Sequence, residues 1–289
     1  MVPERRPWTG VNPYIAELWN TVTNLNYYAP IGSKTLNWSN PRMRLLMRLL
    51  RETELALVVL AFFGLYFVKK HDMERRFSMC FLGMILVGLG SSLFHSTLRF
   101  EMQLMDELPM IYATCFCLYS VFQMRREAKH ASELKVLLFL YCAFVTAVYL
   151  KSPNPVFHQV AYGLEMLAVA VRCYQLIQQI LPGAYRDSLV SLIKYSTGTF
   201  LSGFILWNID TLFCPHLQSS RRVVGSPWDV LLQFHGWWHV LTGLGCYGFV
   251  TLTMAMRLYF LDKHRKYKVC YFKGILPYLR HIIHDKRAM

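Results

Sequence analysis

Acidic residues are scarce in this chain. Its 289 residues include 17 Asp and Glu against 31 Lys and Arg, a formal net charge of +14. Charge of either sign is thin as well, at 17% of residues, where a soluble domain carries about 25%. With 54% hydrophobic residues, that argues against an ordinary soluble domain, and the 15% aromatic content argues against disorder. The eight cysteines include no CxxC pair with metal spacing. Cys115 and Cys117 lie inside an apolar run, as do most of the others, where cysteine acts as a small core hydrophobe. Residues 1–12 are polar and proline-rich and do not read as a signal peptide. There is no internal repeat and no low-complexity linker, so the chain reads as one domain.

What the chain has instead is a series of apolar runs joined by short polar connectors. A helix needs about 20 apolar residues to cross a bilayer. Hydropathy gives seven spans, at 54–68, 77–94, 104–122, 136–150, 157–181, 189–213 and 235–260. The first is short and can begin earlier, near Leu45 and Leu46. The loops after the first, third and fifth spans, together with the tail from Arg257, hold 18 Lys and Arg; the alternate loops hold four. The positive-inside rule then places the C-terminus in the cytosol and the N-terminus outside. Seven basic residues in the first 53, including Arg42, Arg44, Arg48 and Arg51, run against that assignment. The positive charge is therefore read as an orientation signal at a membrane face, with no nucleic-acid partner.

The sharpest local feature is His235-Gly-Trp-Trp-His239. An i, i+4 pair stacks two imidazoles on one helix face, a spacing that suits two ligands of one zinc ion. No glutamate stands between them, so this is not the HExxH protease motif. The plain alternative is a pair of interfacial histidines beside belt tryptophans. His95 closes the second span, and the end of an even span shares a membrane face with the start of an odd one. His95, His235 and His239 can thus converge, and three histidines with an open fourth position describe a catalytic zinc site. Asp106 and Glu107 open the third span on the same face, about 100° apart on a helix, so one of them at most is expected to face the metal. Asp106 is the candidate general base; its alternative role is a helix cap ahead of Pro109. Ser91, one turn before His95, can donate to a developing oxyanion or simply bond back to its own helix. Asp210 reads as structural or as support for a ligand histidine. Glu165 has no evident partner, and His158, His216, His264, His281 and His284 read as interfacial or solvated.

At these residues the sequence resembles the alkaline ceramidases, within a wider superfamily of seven-span metal hydrolases, and is most similar to their phytoceramidase-like branch. The resemblance is carried by residues 14–21 (YIAELWNT), 90–112 (GSSLFHSTLRFEMQLMDELPMIY), 204–214 (FILWNIDTLFC) and 234–245 (FHGWWHVLTGLG). It implies an all-α membrane protein, a seven-helix bundle with an intramembrane zinc site, lumenal N-terminus and cytosolic C-terminus. It implies zinc held by His95, His235 and His239, with Ser91 and Asp106 as catalytic neighbours. The implied reaction cleaves the amide of ceramide, including phytoceramide or dihydroceramide, to a sphingoid base and a fatty acid in the endoplasmic reticulum or Golgi membrane. Alternatives are a seven-span receptor or lipid-handling protein with a structural metal, and a related hydrolase of another membrane lipid.

The resemblance breaks down in the first 53 residues. Family members carry an acidic Asp-Trp-Cys-Glu-Glu-Asn-type segment just before the YIAE motif, and it helps bind calcium; here the matching stretch, near residues 7–11, lacks those acids. Only Glu17 matches a calcium ligand, and calcium wants six to eight oxygens. Cys214, which resembles a family disulfide partner, is left without its mate. The expected organisation is an atypical segment at 1–53, a seven-span catalytic domain at 54–262 and a basic cytosolic tail at 263–289. Weaker calcium dependence and lower stability follow from the missing acids and cysteine.

Overall fold

A computed structural model describes residues 41–97, 99–125, 131–225 and 228–282, with side chains from residue 55 onward except Ser96. Glu17 and the calcium-related segment lie outside the described residues. Eight α-helices follow one another: α1 (Pro41–Lys70), α2 (Arg75–Thr97), α3 (Phe100–Phe122), α4 (Ala131–Lys151), α5 (Pro155–Gln178), α6 (Ala184–Leu212), α7 (Cys214–Val224) and α8 (Phe234–Phe260). Five of them, α2, α4, α5, α6 and α8, are long and apolar enough to cross a membrane. α1 and α3, of 30 and 23 residues, stand at the other two places where apolar runs were read as spans. α1 begins 13 residues before the apolar run that was expected to start it, and passes without a break through position 53.

The outer surface is the inverse of a soluble protein's. α4 leaves Val136, Leu137, Phe139, Leu140 and Phe144 exposed and buries only Val145 and Tyr149. Such a continuous apolar face is costly in water and suits contact with lipid. α8 is the central post. It packs against α1, α2, α3, α5 and α6, and nearly all of its residues from Thr242 to Leu258 are buried. α4 sits at the edge, touching α3 and α5.

One end of the bundle is tied by an ionic knot. Arg257, near the end of α8, donates from Nε and Nη2 to Glu74 at 2.8 and 2.6 Å and from Nη1 to Met124 O at 2.6 Å. Arg76 also donates to Glu74, and to Gln123 O at 2.6 Å. The α1–α2 turn, the end of α3 and the end of α8 are thereby joined, and the buried guanidinium groups are satisfied as burial requires. Burial alone would raise the Glu74 carboxyl, but its two arginines outweigh that and hold it below the usual carboxylate value. Burial lowers His71, which bonds Leu279 O at 2.8 Å. A group with a depressed folded pKa stabilises above its unfolded value and loses that contribution as pH falls through the folded one. The thermal midpoint should therefore drop as pH falls below about 6.5, first through His71 and then through Glu74. Glu74→Gln should flatten the more acidic part of that profile, measured by thermal unfolding in detergent.

The tail holds structure that hydropathy did not foresee. Two strands, β1 (Tyr267–Phe272) and β2 (Leu276–His281), form an antiparallel hairpin that adds a small β element to the expected all-α fold. Lys273 and Gly274 turn it with positive φ values of 49° and 76°, the conformation a tight hairpin turn requires. Its inner residues Val269, Pro277 and Leu279 are buried, and Tyr278 meets Phe67 of α1.

Candidate metal centre

The end opposite the ionic knot gathers the sequence candidates. α2 ends with Ser91 and His95, the first half of α3 carries Asp106 and Glu107, and α8 opens with His235 and His239. The imidazole rings of His95, His235 and His239 lie 4.8 to 5.2 Å apart, centroid to centroid. One ring nitrogen of each falls within 4.8 Å of the others. The Nε2 atom of His235 is buried with no hydrogen-bond partner among the described residues. Buried polar atoms are nearly always satisfied, so this nitrogen, facing the other two imidazoles, calls for a partner between them. Neutral imidazoles are borderline donors that suit zinc, and this set leaves a fourth position open. The residues fit a zinc ion.

Asp106 is brought to this point by a close helix contact. A Cβ built on Gly90 would lie 1.9 Å from Met105 O and 3.0 Å from the Asp106 N. Pro109 has no N–H, so Met105 O lacks its usual i→i−4 helix bond, and that same oxygen faces Gly90. Glycine on one helix and proline on the next thus bring α2 and α3 together one residue from Ser91. The Ser91 Oγ is buried with no partner among the described residues, so it does not bond back to its own helix. The cap reading of Asp106 is corrected here. α3 starts at Phe100, which places Asp106 and Pro109 well inside the helix.

His95, Asp106, His235 and His239 line the upper part of a cavity of about 290 Å³. It runs down the bundle to Val169 and Val250, so along α8 it spans 15 residues, or about 22 Å at 1.5 Å per residue. Its walls are mostly apolar, with Phe200, Phe204, Trp207 and Trp238 in mutual ring contact beside the histidines. Trp238, a belt residue in the alternative reading of this segment, is a wall of the cavity.

Other residues differ from expectation. His158, read as interfacial or solvated, is buried and bonds Glu107 O at 2.8 Å. Glu107 also accepts from Tyr149 and from Gln103 Nε2 at 3.1 Å, so it is held by neighbours although it lines the same cavity as Asp106. Glu165 finds a partner in Cys115, whose Sγ lies 3.2 Å from Oε1. Gln103 is one turn before Glu107 on α3, but Tyr149 and Cys115 reach these acids from other helices, and no local spacing announces them. Cys214 is buried with Gln218 Nε2 2.9 Å from its Sγ, and the eight cysteines form no disulfide.

Asp210 takes the structural role. Its carboxylate pairs with Arg221 Nη2 at 2.5 Å, and Arg221 Nε donates to Leu232 O at 3.0 Å, three residues before His235. One guanidinium so links α6, α7 and the entry into α8. Arg221→Met would leave Asp210 buried without its counter-charge, which costs about 3–5 kcal/mol. The expected result is a lower thermal midpoint, read by thermal unfolding in detergent.

Residues 52–280 match the family model described as Ceramidase. The chain belongs to the ceramidase family. Among ceramidases it is 34% identical to alkaline ceramidase 3 of Mus musculus over 268 residues, covering 92% of this chain and 86% of that one. It is 31% identical to alkaline ceramidase YPC1 of Saccharomyces cerevisiae over 284 residues, covering 93% and 80%. An alkaline ceramidase of Arabidopsis thaliana is 28% identical over 223 residues, covering 77% and 81%. The ceramidase match includes all three clustered histidines, Ser91 and Asp106, and it ends inside the hairpin.

Proposed function

We propose that this chain is a zinc-dependent amidohydrolase that cleaves ceramide, including phytoceramide or dihydroceramide, to a sphingoid base and a fatty acid. The observation that carries the reading is the three-histidine cluster at the head of a deep apolar cavity, in a chain of the ceramidase family. Zinc held by His95, His235 and His239 would act as a Lewis acid toward the amide carbonyl and lower the pKa of water toward about 7. Asp106 accepts a proton from the attacking water as its oxygen bonds the amide carbon, then returns that proton to the nitrogen, which leaves as an amine when the C–N bond breaks. The Ser91 hydroxyl donates to the carbonyl oxygen as negative charge develops there. Trp207, Trp238 and Phe204 keep bulk water from the reacting amide, and the apolar wall down to Val169 and Val250 receives lipid chain. A receptor with a purely structural metal would have no use for Asp106 and an unsatisfied Ser91 hydroxyl beside an open coordination position.

The same reading has α1 to α6 and α8 as seven spans, with the site facing the lumen and the ionic knot and hairpin facing the cytosol of the endoplasmic reticulum or Golgi membrane. Zinc is the working metal. Calcium has only Glu17 to bind it in this reading, and chelating calcium alone should leave most of the activity. The test is ceramide turnover by membranes expressing the chain. Asp106→Asn should lower turnover by about 10²- to 10⁴-fold while bound zinc is unchanged. Full turnover in that variant would remove Asp106 from the mechanism.

A further inference from the structure

The hairpin has a feature that its own stability does not explain. Lys268 and Arg280 stand directly opposite each other in the ladder, both exposed. Like charges directly opposite on neighbouring strands are destabilising. Neither forms an ion pair among the described residues, and the flanking Lys263, Arg265 and Lys266 are exposed cations too. At the other end of the same strand face stand Phe272 and Leu276, with Phe272 56% exposed and Ile275 in the turn 57% exposed. Four residues separate Lys268 from Phe272, about 13 Å along the strand at 3.3 Å per residue. That face is cationic at the open end and carries exposed apolar side chains at the turn, with Tyr278 packed on Phe67 between the two ends and the Lys273 Nζ of the turn 5.9 Å over the Phe272 ring.

The hairpin is also set at the right depth. Its open end meets the tip of α1, where Tyr267 packs edge-on to His71. Nearer the turn, Tyr271 contacts Tyr195, eleven residues into α6. The turn thus points back along the bundle toward the bilayer. α6 has 29 residues, about 43 Å, which exceeds a hydrocarbon core of about 30 Å by about two and a half turns. The hairpin lies beside that surplus, with Lys268 and Arg280 further out and Phe272 and Ile275 further in, beside the turn residue Lys273.

We infer that this face binds one anionic phospholipid of the adjacent leaflet, with its phosphate between Lys268 and Arg280 and its acyl chains against Phe272 and Ile275. The inference rests on the hairpin lying on the cytosolic side, where anionic lipids concentrate, and does not depend on ceramide hydrolysis. The charge repulsion in the free hairpin is relieved by the bound phosphate.

The full-length protein would be reconstituted into nanodiscs of phosphatidylcholine alone or with phosphatidylserine. Thermal unfolding and the lipid retained on native mass spectrometry would then be compared. Phosphatidylserine should raise the midpoint of the unaltered protein and be retained as one molecule per chain. The double variant Lys268→Gln, Arg280→Gln should lose most of that increment and retain phosphatidylserine about thirtyfold less, roughly fivefold for each cation removed. In phosphatidylcholine the same variant should be at least as stable as the parent, which separates loss of lipid from loss of fold. Phe272→Asn should weaken retention as well, and inorganic phosphate should give no comparable increment. Equal midpoints in the two nanodiscs, an unchanged increment in the double variant, or full replacement of the lipid by free phosphate would overturn the inference.

Discussion

His239→Ala is expected to bring ceramide turnover down by more than about a thousandfold, the equivalent of the several kcal/mol that Lewis-acid stabilisation supplies. Purified protein should lose its zinc at the same time. His239 lies one turn from His235 on α8, and the two imidazoles lie 5.1 and 5.2 Å from the ring of His95. Two histidines then remain, too few for the three-ligand catalytic site that keeps a position open. The loss should not be one of folding. The packing of α8 against its neighbours extends from Thr242 to Leu258, further along the helix. Circular dichroism should show the parent helix content, and zinc content read by mass spectrometry should fall with activity. Turnover at the parent level in a well-folded variant would contradict the assignment of His239.

The second large effect is on the scaffold. Gly90→Ala should destabilise the protein by about 3 kcal/mol or more, at the upper end of what overpacking costs. The added methyl would lie 1.9 Å from Met105 O, a backbone atom that cannot rotate aside. Either α2 and α3 separate or the Met105 turn shifts. Both outcomes move Asp106 relative to Ser91 and His95, so turnover should fall even where the protein still folds. Gly163→Ala is the control. A Cβ at Gly163 meets nothing within 4 Å although the residue lines the same cavity. Thermal unfolding of the two variants side by side gives the comparison, and equal midpoints would refute the close contact.

Much of this arrangement can be read from the residues in order. Apolar runs recur at membrane-spanning length; five of the seven runs expected from hydropathy lie within a helix, and those at 157–181 and 189–213 overrun α5 and α6 by three residues and one. The HxxxH pair and a third histidine at the end of an even span suffice to foresee the cluster, because alternation of spans fixes which ends share a face. What stays hidden is chemistry that depends on distant partners. The Arg221–Asp210 pair, the Glu74 knot with Arg76 and Arg257, and the His158 bond to the Glu107 carbonyl each join separate elements. The contact of Gly90 with Met105 O is hidden for the same reason, though a proline four residues after Met105 is its sequence trace. The hairpin was legible and passed over. Tyr267 to Phe272 and Leu276 to Arg280 flank a Lys-Gly turn, but the basic residues drew the reading toward orientation alone. α1 starts earlier than its apolar run because four arginines interleaved with Met43, Leu45, Leu46, Met47, Leu49 and Leu50 interrupt the apolar run without ending the helix.

The claim that everything else depends on is that one zinc ion on His95, His235 and His239 makes the apolar cavity hydrolytic. The direct test is a single purified preparation carried through three states: as isolated, stripped by a zinc chelator in calcium-containing buffer, and resupplied with zinc. Zinc content and ceramide turnover would be measured in each. The account predicts one zinc per chain as isolated, turnover lost with the metal and turnover restored with it. Undiminished ceramide turnover in the zinc-free preparation would contradict it.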